Sequence, residues 1–103
     1  MKAAFAEVNA AGGVYGREIR VDAKDDGYVA ARTLKNVTEM VDSQSIFALI
    51  SPLGTANTAA ILPLIESKGI PTVGPVTGAT SLRSVEARHV FFLRPTYREE
   101  TQR

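Results

Sequence analysis

The 103-residue sequence contains no cysteine and a single histidine. Without cysteine it can form neither a disulfide framework nor a thiolate metal site, and it has no cysteine nucleophile. Lack of cysteine suits cytoplasm and periplasm alike, so the redox compartment stays open. No apolar run approaches the ~20 residues that a membrane-spanning helix needs, so no membrane insertion is expected. Polar residues also come too early for a signal-peptide core, so the sequence alone predicts a cytoplasmic protein.

Excess charge of one sign is absent as well. Twelve Lys and Arg stand against 11 Asp and Glu, for a net charge of +1. This balance produces no field that would attract nucleic acid or an anionic membrane. The last fifth of the chain is rich in arginine, but Glu86, Glu99 and Glu100 interrupt it, which favours an ordinary charged surface. The length predicts one domain, residues 1–103.

Hydrophobic spacing predicts four helices and four strands. The helices are expected at 2–11, 29–41, 55–68 and, beginning with a Thr96–Glu99 capping box, 96–103. The strands are expected at 18–24, where apolar and polar residues alternate as at a sheet edge, and at 46–50, 70–74 and 90–93. Residues 80–87 are expected to form a polar loop or a short helical turn. Pro63 lies inside the third helix and is expected to kink or break it.

The stretch from Phe47 to Ala79 indicates a parallel β–α–β unit. Its two strands are apolar throughout, as expected when helices cover both faces of a sheet. Each strand runs into a loop of small residues, 51–55 and 75–79. These loops are expected to lie side by side at the carboxyl ends of the strands, where open α/β sheets bind ligands.

The order of elements predicts an α/β fold of the doubly wound, flavodoxin-like kind, with a parallel sheet flanked by helices. Such a sheet starts with a strand that lies in its middle, whereas this sequence opens on the helix that should follow it. The expected fold is therefore a truncated one with its first strand missing. Because unpaired ladder groups are costly when buried, another copy of the chain is expected to cover the open edge. We therefore expect a homo-oligomer, a dimer or higher.

Five segments together resemble a known family. They are KAAFAEVNAAGGVYGREI (2–19), KDDGYVAARTLKNVTEMV (24–41), FALISPLGT (47–55), GIPTVGPVTGA (69–79) and VFFLRPTYREE (90–100). In wording and order they are similar to the type I periplasmic solute-binding proteins, the branched-chain amino acid receptors of ABC transporters. The resemblance covers essentially the whole chain.

The resemblance implies a non-catalytic, periplasmic receptor for branched-chain or aromatic amino acids or other small carboxylates. Family members are much longer and close two lobes around a cleft. This chain corresponds to most of the first lobe only, without an export signal, the first strand or the second lobe. Residues in the two loops would contact the amino-acid-like part of the solute: Ser51, Gly54, Thr55, Ala56, Val76, Thr77 and Gly78.

From the residues alone, Thr55 admits two interpretations. A threonine hydroxyl beside the unpaired amides of a helix start suits a carboxylate. Threonine is equally an ordinary helix N-cap, and Thr77 would then be a plain loop residue.

Other kinds of site are poorly supported, and no cofactor or metal is expected. The loop 51–55 lacks the lysine of a phosphate-binding P-loop. The aspartates at 22, 25 and 26 have no glutamate at calcium-loop spacing and are interpreted as a solvated strand end. His89 is interpreted as a surface imidazole, and Tyr97 as at most part of the rim of the pocket.

Three functions remain as hypotheses. The chain is a receptor-lobe fragment that keeps part of a carboxylate site, or an independent self-associating protein with no transport role. A small flavodoxin-like enzyme is the least supported, because no activated nucleophile, acid–base pair or metal cluster is evident.

Overall fold

The computed structural model describes residues 1–84 and 86–102. Along the chain, these residues form the following elements: α1 (Lys2–Ala10), α2 (Ala30–Asp42), β1 (Leu49–Ile50), α3 (Thr55–Lys68), β2 (Thr72–Val73), a 3₁₀ turn (Thr80–Leu82), β3 (Val90–Phe91) and α4 (Tyr97–Thr101). The predicted helices therefore occur in place. Two positions of the predicted loop 80–87 and helix 96–103, namely Val85 and Arg103, lie outside the described residues.

The three strands form one parallel sheet in the order β1-β2-β3. Leu49 pairs with Thr72, and Thr72 in turn pairs with Val90, so β2 is the central strand. Each strand is shorter than predicted, and the chain bends directly after β1 and β2. Ser51 and Gly74 both have positive φ angles, 53° and 62°, and each is followed by proline, which cannot donate a ladder hydrogen bond. The predicted α/β architecture is confirmed.

The hydrophobic core lies between the sheet and the helices α2 and α3. Its buried members are Val37, Val41, Ile61, Ile65 and Val90. Burying each such side chain contributes about 1.5–3 kcal/mol. Their spacing explains why α2 and α3 form where the 3.6-residue period predicted them.

Helix α3 runs unbroken past Pro63 and ends at Gly69, which adopts the left-handed conformation at φ 64°. Pro63 was expected to kink or break this helix, and the break does not occur. Pro63 and Ala59 are both exposed, so water can bond the Ala59 carbonyl that loses its helical partner.

The predicted strand at 18–24 is wrong. These residues form no ladder with any described part of the chain. Instead, the side chain of Asn9 bonds both backbone groups of Ile19: Asn9 Nδ2 donates to the Ile19 carbonyl at 2.7 Å, and the Ile19 N–H donates to Asn9 Oδ1 at 2.8 Å. Alternating residues make a segment suitable for a strand, but a strand also needs a neighbour.

The molecule has an unusually large surface for its length. Its accessible area is 7240 Å², whereas a folded monomer of this mass exposes about 5,700 Å². Its radius of gyration is 14.7 Å, against about 13 Å expected. Helix α1 contributes to this, because none of its residues is buried.

Candidate functional site

The two predicted loops lie side by side at the carboxyl ends of β1 and β2. Leu53 pairs with Val76 in a parallel bridge. The Val76 N–H donates to the Pro52 carbonyl at 2.9 Å, and the Gly54 N–H donates to the Val76 carbonyl at 3.3 Å. These bonds continue the strand pairing past the bends that end the strands. The arrangement expected from the β–α–β pattern is confirmed.

Thr55 and Thr77 meet at this edge. Their hydroxyl oxygens are 2.7 Å apart and share a hydrogen bond. Thr77 is fully buried, and its oxygen also accepts the Ala79 N–H at 3.1 Å, which fixes its orientation. Two hydroxyl groups carry two hydrogens, and one hydrogen serves the bond between them. The other has no protein acceptor among the side-chain bonds of the described residues, so the pair retains a donor for an outside group.

Thr55 is not the N-cap of α3. Gly54 is the capping residue, and no side chain caps the helix. Thr55 is instead the first helical residue, and its hydroxyl is directed to Thr77. The first N–H groups of a helix have no carbonyl partner inside it. The interpretation of Thr55 as an ordinary cap is therefore wrong.

Two tyrosine rings lie directly on the glycines beside the hydroxyl pair. A Cβ atom on Gly54 would be 2.7 Å from Cε2 of Tyr28, and one on Gly78 would be 2.6 Å from Cδ1 of Tyr97. Only glycine therefore fits at 54 and 78 with the rings in place. The sequence analysis placed Tyr97 at the rim and missed Tyr28, which has a positive φ of 60°.

The ring of Tyr97 lies on Gly78, the residue that follows Thr77. The Gly78 N–H, and then the hydroxyls of Thr77 and Thr55, lower the pKa of Tyr97. Donors near a phenol oxygen favour its ionised form, which explains the direction of the shift.

A second polar cluster lies on the other side of the first turn of α3. The Asp26 carboxylate accepts the Thr33 hydroxyl, the Asn57 amide at 3.2 Å and the Tyr28 N–H at 2.9 Å. The Asn57 amide also donates to the Thr33 hydroxyl at 2.8 Å. The Thr33 hydroxyl, and after it the Tyr28 N–H, hold the pKa of Asp26 below its usual value. Asp26 is half-buried, so its interpretation as part of a solvated strand end is wrong.

The remaining predicted site residues lie around the edge without joining the hydroxyl pair. The Ser51 N–H donates to the Val73 carbonyl at 2.8 Å, and its side chain lies beside Gly74. Ala56 and Val76 are exposed. They can form walls of a site but supply no side-chain donor.

His89 lies at the other end of the sheet. Its Nδ1 is 2.7 Å from Oε2 of Glu66, and its N–H donates to Oε1 at 3.0 Å. This bond lowers the pKa of Glu66. His89 is partly exposed, as a surface imidazole would be, and it also joins the start of β3 to α3. In the part of the chain that the structure describes, no group of three or more His, Cys, Asp or Glu could hold a metal ion.

Comparison with known proteins decides the family. The full length of the chain, residues 1–103, matches the family described as periplasmic binding protein. The chain belongs to this family. The family consists of binding proteins, and the recognition made from the five sequence segments is confirmed.

Solved structures agree with the family in fold. A possible leucine/isoleucine/valine-binding protein from Rhodopirellula baltica is 34% identical, with a TM-score of 0.86, and the match covers 97% of this chain and 27% of that one. A substrate-binding periplasmic protein from Ralstonia solanacearum is 32% identical, with a TM-score of 0.86 and coverage of 95% and 28%.

A third similar structure contains a solute. It is the branched-chain amino acid transporter substrate-binding protein LivJ from Streptococcus pneumoniae in complex with isoleucine, 25% identical with a TM-score of 0.81 and coverage of 92% and 27%. Thus this chain spans less than a third of the length of these structures. No curated protein matches the sequence. Among the described helices, none is long and apolar enough to cross a membrane.

Proposed function

We propose that the chain is part of a receptor lobe that binds branched-chain or aromatic amino acids, or similar small carboxylates, as a non-catalytic component of ABC-type uptake in the periplasm. The observation that carries the proposal is the Thr55–Thr77 hydroxyl pair at the carboxyl ends of two parallel strands. The bound isoleucine of the Streptococcus pneumoniae protein supports this class of solute.

The chemistry of the edge favours an anionic acceptor. The hydroxyl pair keeps one free hydrogen, and the amides at the start of α3 carry partial positive charge. A carboxylate has only acceptors, so it satisfies these donors without leaving any of its own unpaired. Hydrogen bonds to an ionised group contribute about 1.5–3 kcal/mol each, more than those between neutral groups.

The test is the thermal stability of the chain with L-leucine, L-isoleucine and L-phenylalanine at up to millimolar concentrations. A bound solute raises the melting temperature by mass action. We expect the variant Thr55→Val to lose this increase while it keeps the fold, since valine has nearly the shape of threonine. Thr38→Val on α2, whose hydroxyl bonds only the Leu34 carbonyl, is the matched control and should keep the increase. Equal increases in both variants would contradict the site.

Self-association is a second candidate, and a specific observation favours it. The accessible area exceeds that of a typical monomer by about 1,600 Å², which is more than the ~800 Å² that each partner buries in a standard interface. β1 is an edge strand of the sheet, and Ile50 in it and Phe47 just before it are exposed apolar side chains. A second copy covering this edge would remove them from water.

Native mass spectrometry separates the two candidates. A dimer that persists on dilution, with no solute-induced stabilisation, favours a self-associating protein without a transport role. A folded monomer that is stabilised by leucine contradicts it and favours the receptor lobe.

A further inference from the structure

The parallel sheet has two faces, and one of them is packed against helices. Successive residues of a strand point to opposite faces, and residues paired across neighbouring strands point to the same face. Leu49 pairs with Thr72, and Thr72 pairs with Val90, so these three residues share one face. That face meets α2 and α3, because Val90 belongs to the buried core and Leu49 packs against it.

The opposite face carries a row of apolar side chains. Ile50 pairs with Val73, and Val73 pairs with Phe91, so these three side chains form one line across the sheet. Leu93 extends the row, because it stands two residues after Phe91. Phe92, between them, packs against the core on the first face, which agrees with this assignment. We call the row of Ile50, Val73, Phe91 and Leu93 the uncovered face.

The uncovered face stays in contact with water in this chain. Phe91 is 54% exposed, Leu93 is 78% exposed and Ile50 is 44% exposed. In the described part of the chain, the hydrophobic core includes no residue of this face. Helix α1 does not seal it, because none of the residues of α1 is buried. Parallel sheets occur almost only with both faces covered, and large exposed apolar patches mark sites of interaction.

We propose that a second copy of the chain packs on the uncovered face, so that two sheets meet face to face about a twofold axis. Sheets stacked in this way lie about 10 Å apart with their side chains interdigitated. A twofold axis brings the same surface of both copies together, so each apolar row meets another apolar row. This inference goes beyond the receptor lobe. It rests on the second candidate function, self-association, and assigns a surface to it.

The area and the charges fit a second copy as the partner. The chain exposes about 1,600 Å² more than a typical monomer, about twice what each partner buries in a standard interface. The row contains no charged residue, and Arg94, which follows Leu93, is paired with Glu100 at 2.6 Å. Because the net charge is +1, two copies repel each other little. A nucleic acid or an anionic lipid surface would need basic side chains that the row lacks.

The free edge of β1 is less suited to hold a second copy than the uncovered face. β1 has two residues, and the chain then bends at Ser51, where φ is 53°, and continues into Pro52. A strand this short offers few backbone groups to a partner strand, and proline has no N–H to donate. Short edge strands and prolines are features by which proteins prevent edge-to-edge pairing. Packing of apolar faces needs no such backbone pairing.

Charged substitutions distinguish the two surfaces. Phe91→Glu and Leu93→Glu each place a carboxylate on the uncovered face, where burial in an interface is costly. Phe47→Glu is the matched control, because Phe47 is 89% exposed and lies just before β1. Native mass spectrometry over a range of protein concentrations gives the dimer Kd, and the melting temperature checks the fold. We expect the two face variants to raise the dimer Kd by about a hundredfold, and Phe47→Glu to leave it unchanged.

Single thiols locate the interface without adding a charge, because the chain has no cysteine of its own. Leu93→Cys places a thiol on the uncovered face, and Phe47→Cys places one near the edge of β1. The experiment measures how fast each thiol reacts with a soluble disulfide reagent at low and at high protein concentration. Where a tenth of the chains remains monomeric, the thiol of Leu93→Cys should react about tenfold more slowly. The thiol of Phe47→Cys should react at an unchanged rate.

Each outcome supports or overturns the inference. Dimers of the wild-type chain and of Phe47→Glu, weakened in the face variants, support it together with a protected thiol in Leu93→Cys. If a face variant does not fold, the two thiol rates decide. A dimer weakened only by Phe47→Glu, or protection only in Phe47→Cys, overturns the inference while self-association stands.

The remaining outcomes also overturn it. Species larger than a dimer contradict a closed twofold arrangement. A monomer that carries the added mass of a peptide or a lipid means that another partner covers the face. A bare monomer at every concentration overturns self-association as well. The receptor-lobe proposal is independent of all these results, because stabilisation by leucine tests it.

Discussion

Two polar clusters flank the first turn of α3, and they differ in how completely their donors are used. In the cluster of Asp26, Thr33 and Asn57, a carboxylate accepts a hydroxyl, an amide and a backbone N–H from within the chain. In the cluster of Thr55 and Thr77, two hydroxyls share one bond, and no carboxylate is present to accept the remaining hydrogen. The first cluster has acceptors for its donors, whereas the second has a donor in excess.

The difference fits a structural role for the first cluster and the binding role that we propose for the second. The cluster of Asp26, Thr33 and Asn57, which we call the saturated cluster, joins the loop before α2 to α3. It has no donor left for a ligand. A cluster with an excess donor is costly to bury completely. Here Thr77 is fully buried, but Thr55 is only half-buried at the edge of the sheet. That edge is where an acceptor group of a solute can complete it.

Asn57→Ala should have the largest effect on stability. Asn57 is 2% exposed, and its amide bonds both Asp26 and the Thr33 hydroxyl. The variant leaves a cavity and removes two bonds from a buried network, so the free energy of unfolding should fall by about 2–3 kcal/mol. Urea denaturation measures this. The control Asn36→Ala removes one exposed bond to the Asp25 carbonyl and should cost under about 1 kcal/mol; equal losses would refute a structural role for the saturated cluster.

Gly78→Ala should lower the free energy of unfolding by less. It acts on the cluster of Thr55 and Thr77, which we call the open cluster. The new methyl group would clash with the Tyr97 ring and with its backbone nitrogen, 2.8 Å away. Because α4 has no buried residue, it can shift, and we expect a loss of about 1–2 kcal/mol. Combining Gly78→Ala with Tyr97→Ala removes the ring from the clash, so the two changes should be less than additive in urea denaturation. Strict additivity would mean that the ring does not lie on Gly78.

The sequence predicted the open cluster better than the saturated one, for a physical reason. Thr55 and Thr77 each follow an apolar strand, and parallel strands bring their carboxyl ends to one edge. Local pattern was therefore enough to place them together. Asp26 and Asn57 are 31 residues apart, and nothing in their spacing indicates that a carboxylate meets an amide there.

The same distinction explains the errors in the predicted fold. Helices depend on local spacing, and α2 and α3 occur where that spacing placed them. The segment 18–24 has the alternation of a strand, but pairing depends on a neighbour that local pattern does not specify. The contacts of Tyr28 and Tyr97 with Gly54 and Gly78 are likewise formed only by the tertiary fold, although a glycine beside each threonine was a signal of close approach.

The smallest expected effect is on the pH dependence of stability, which should differ between the two clusters. The pKa of Asp26 is lowered in the folded chain, by the Thr33 hydroxyl first, whereas threonine hydroxyls do not titrate. A carboxylate with a lowered folded pKa contributes stability that is complete above its unfolded pKa, about 3.9, and that is lost as the pH falls through the folded value.

Asp26→Asn removes this contribution. The difference in melting temperature between the wild-type chain and this variant should therefore be largest near neutral pH and should shrink as the pH falls below about 4. Thr77→Val should differ from the wild type by the same amount throughout, because its hydroxyl bonds are made by groups that stay uncharged. A Thr77→Val difference that also shrinks in acid would mean that the two clusters are coupled through α3 and are not separate.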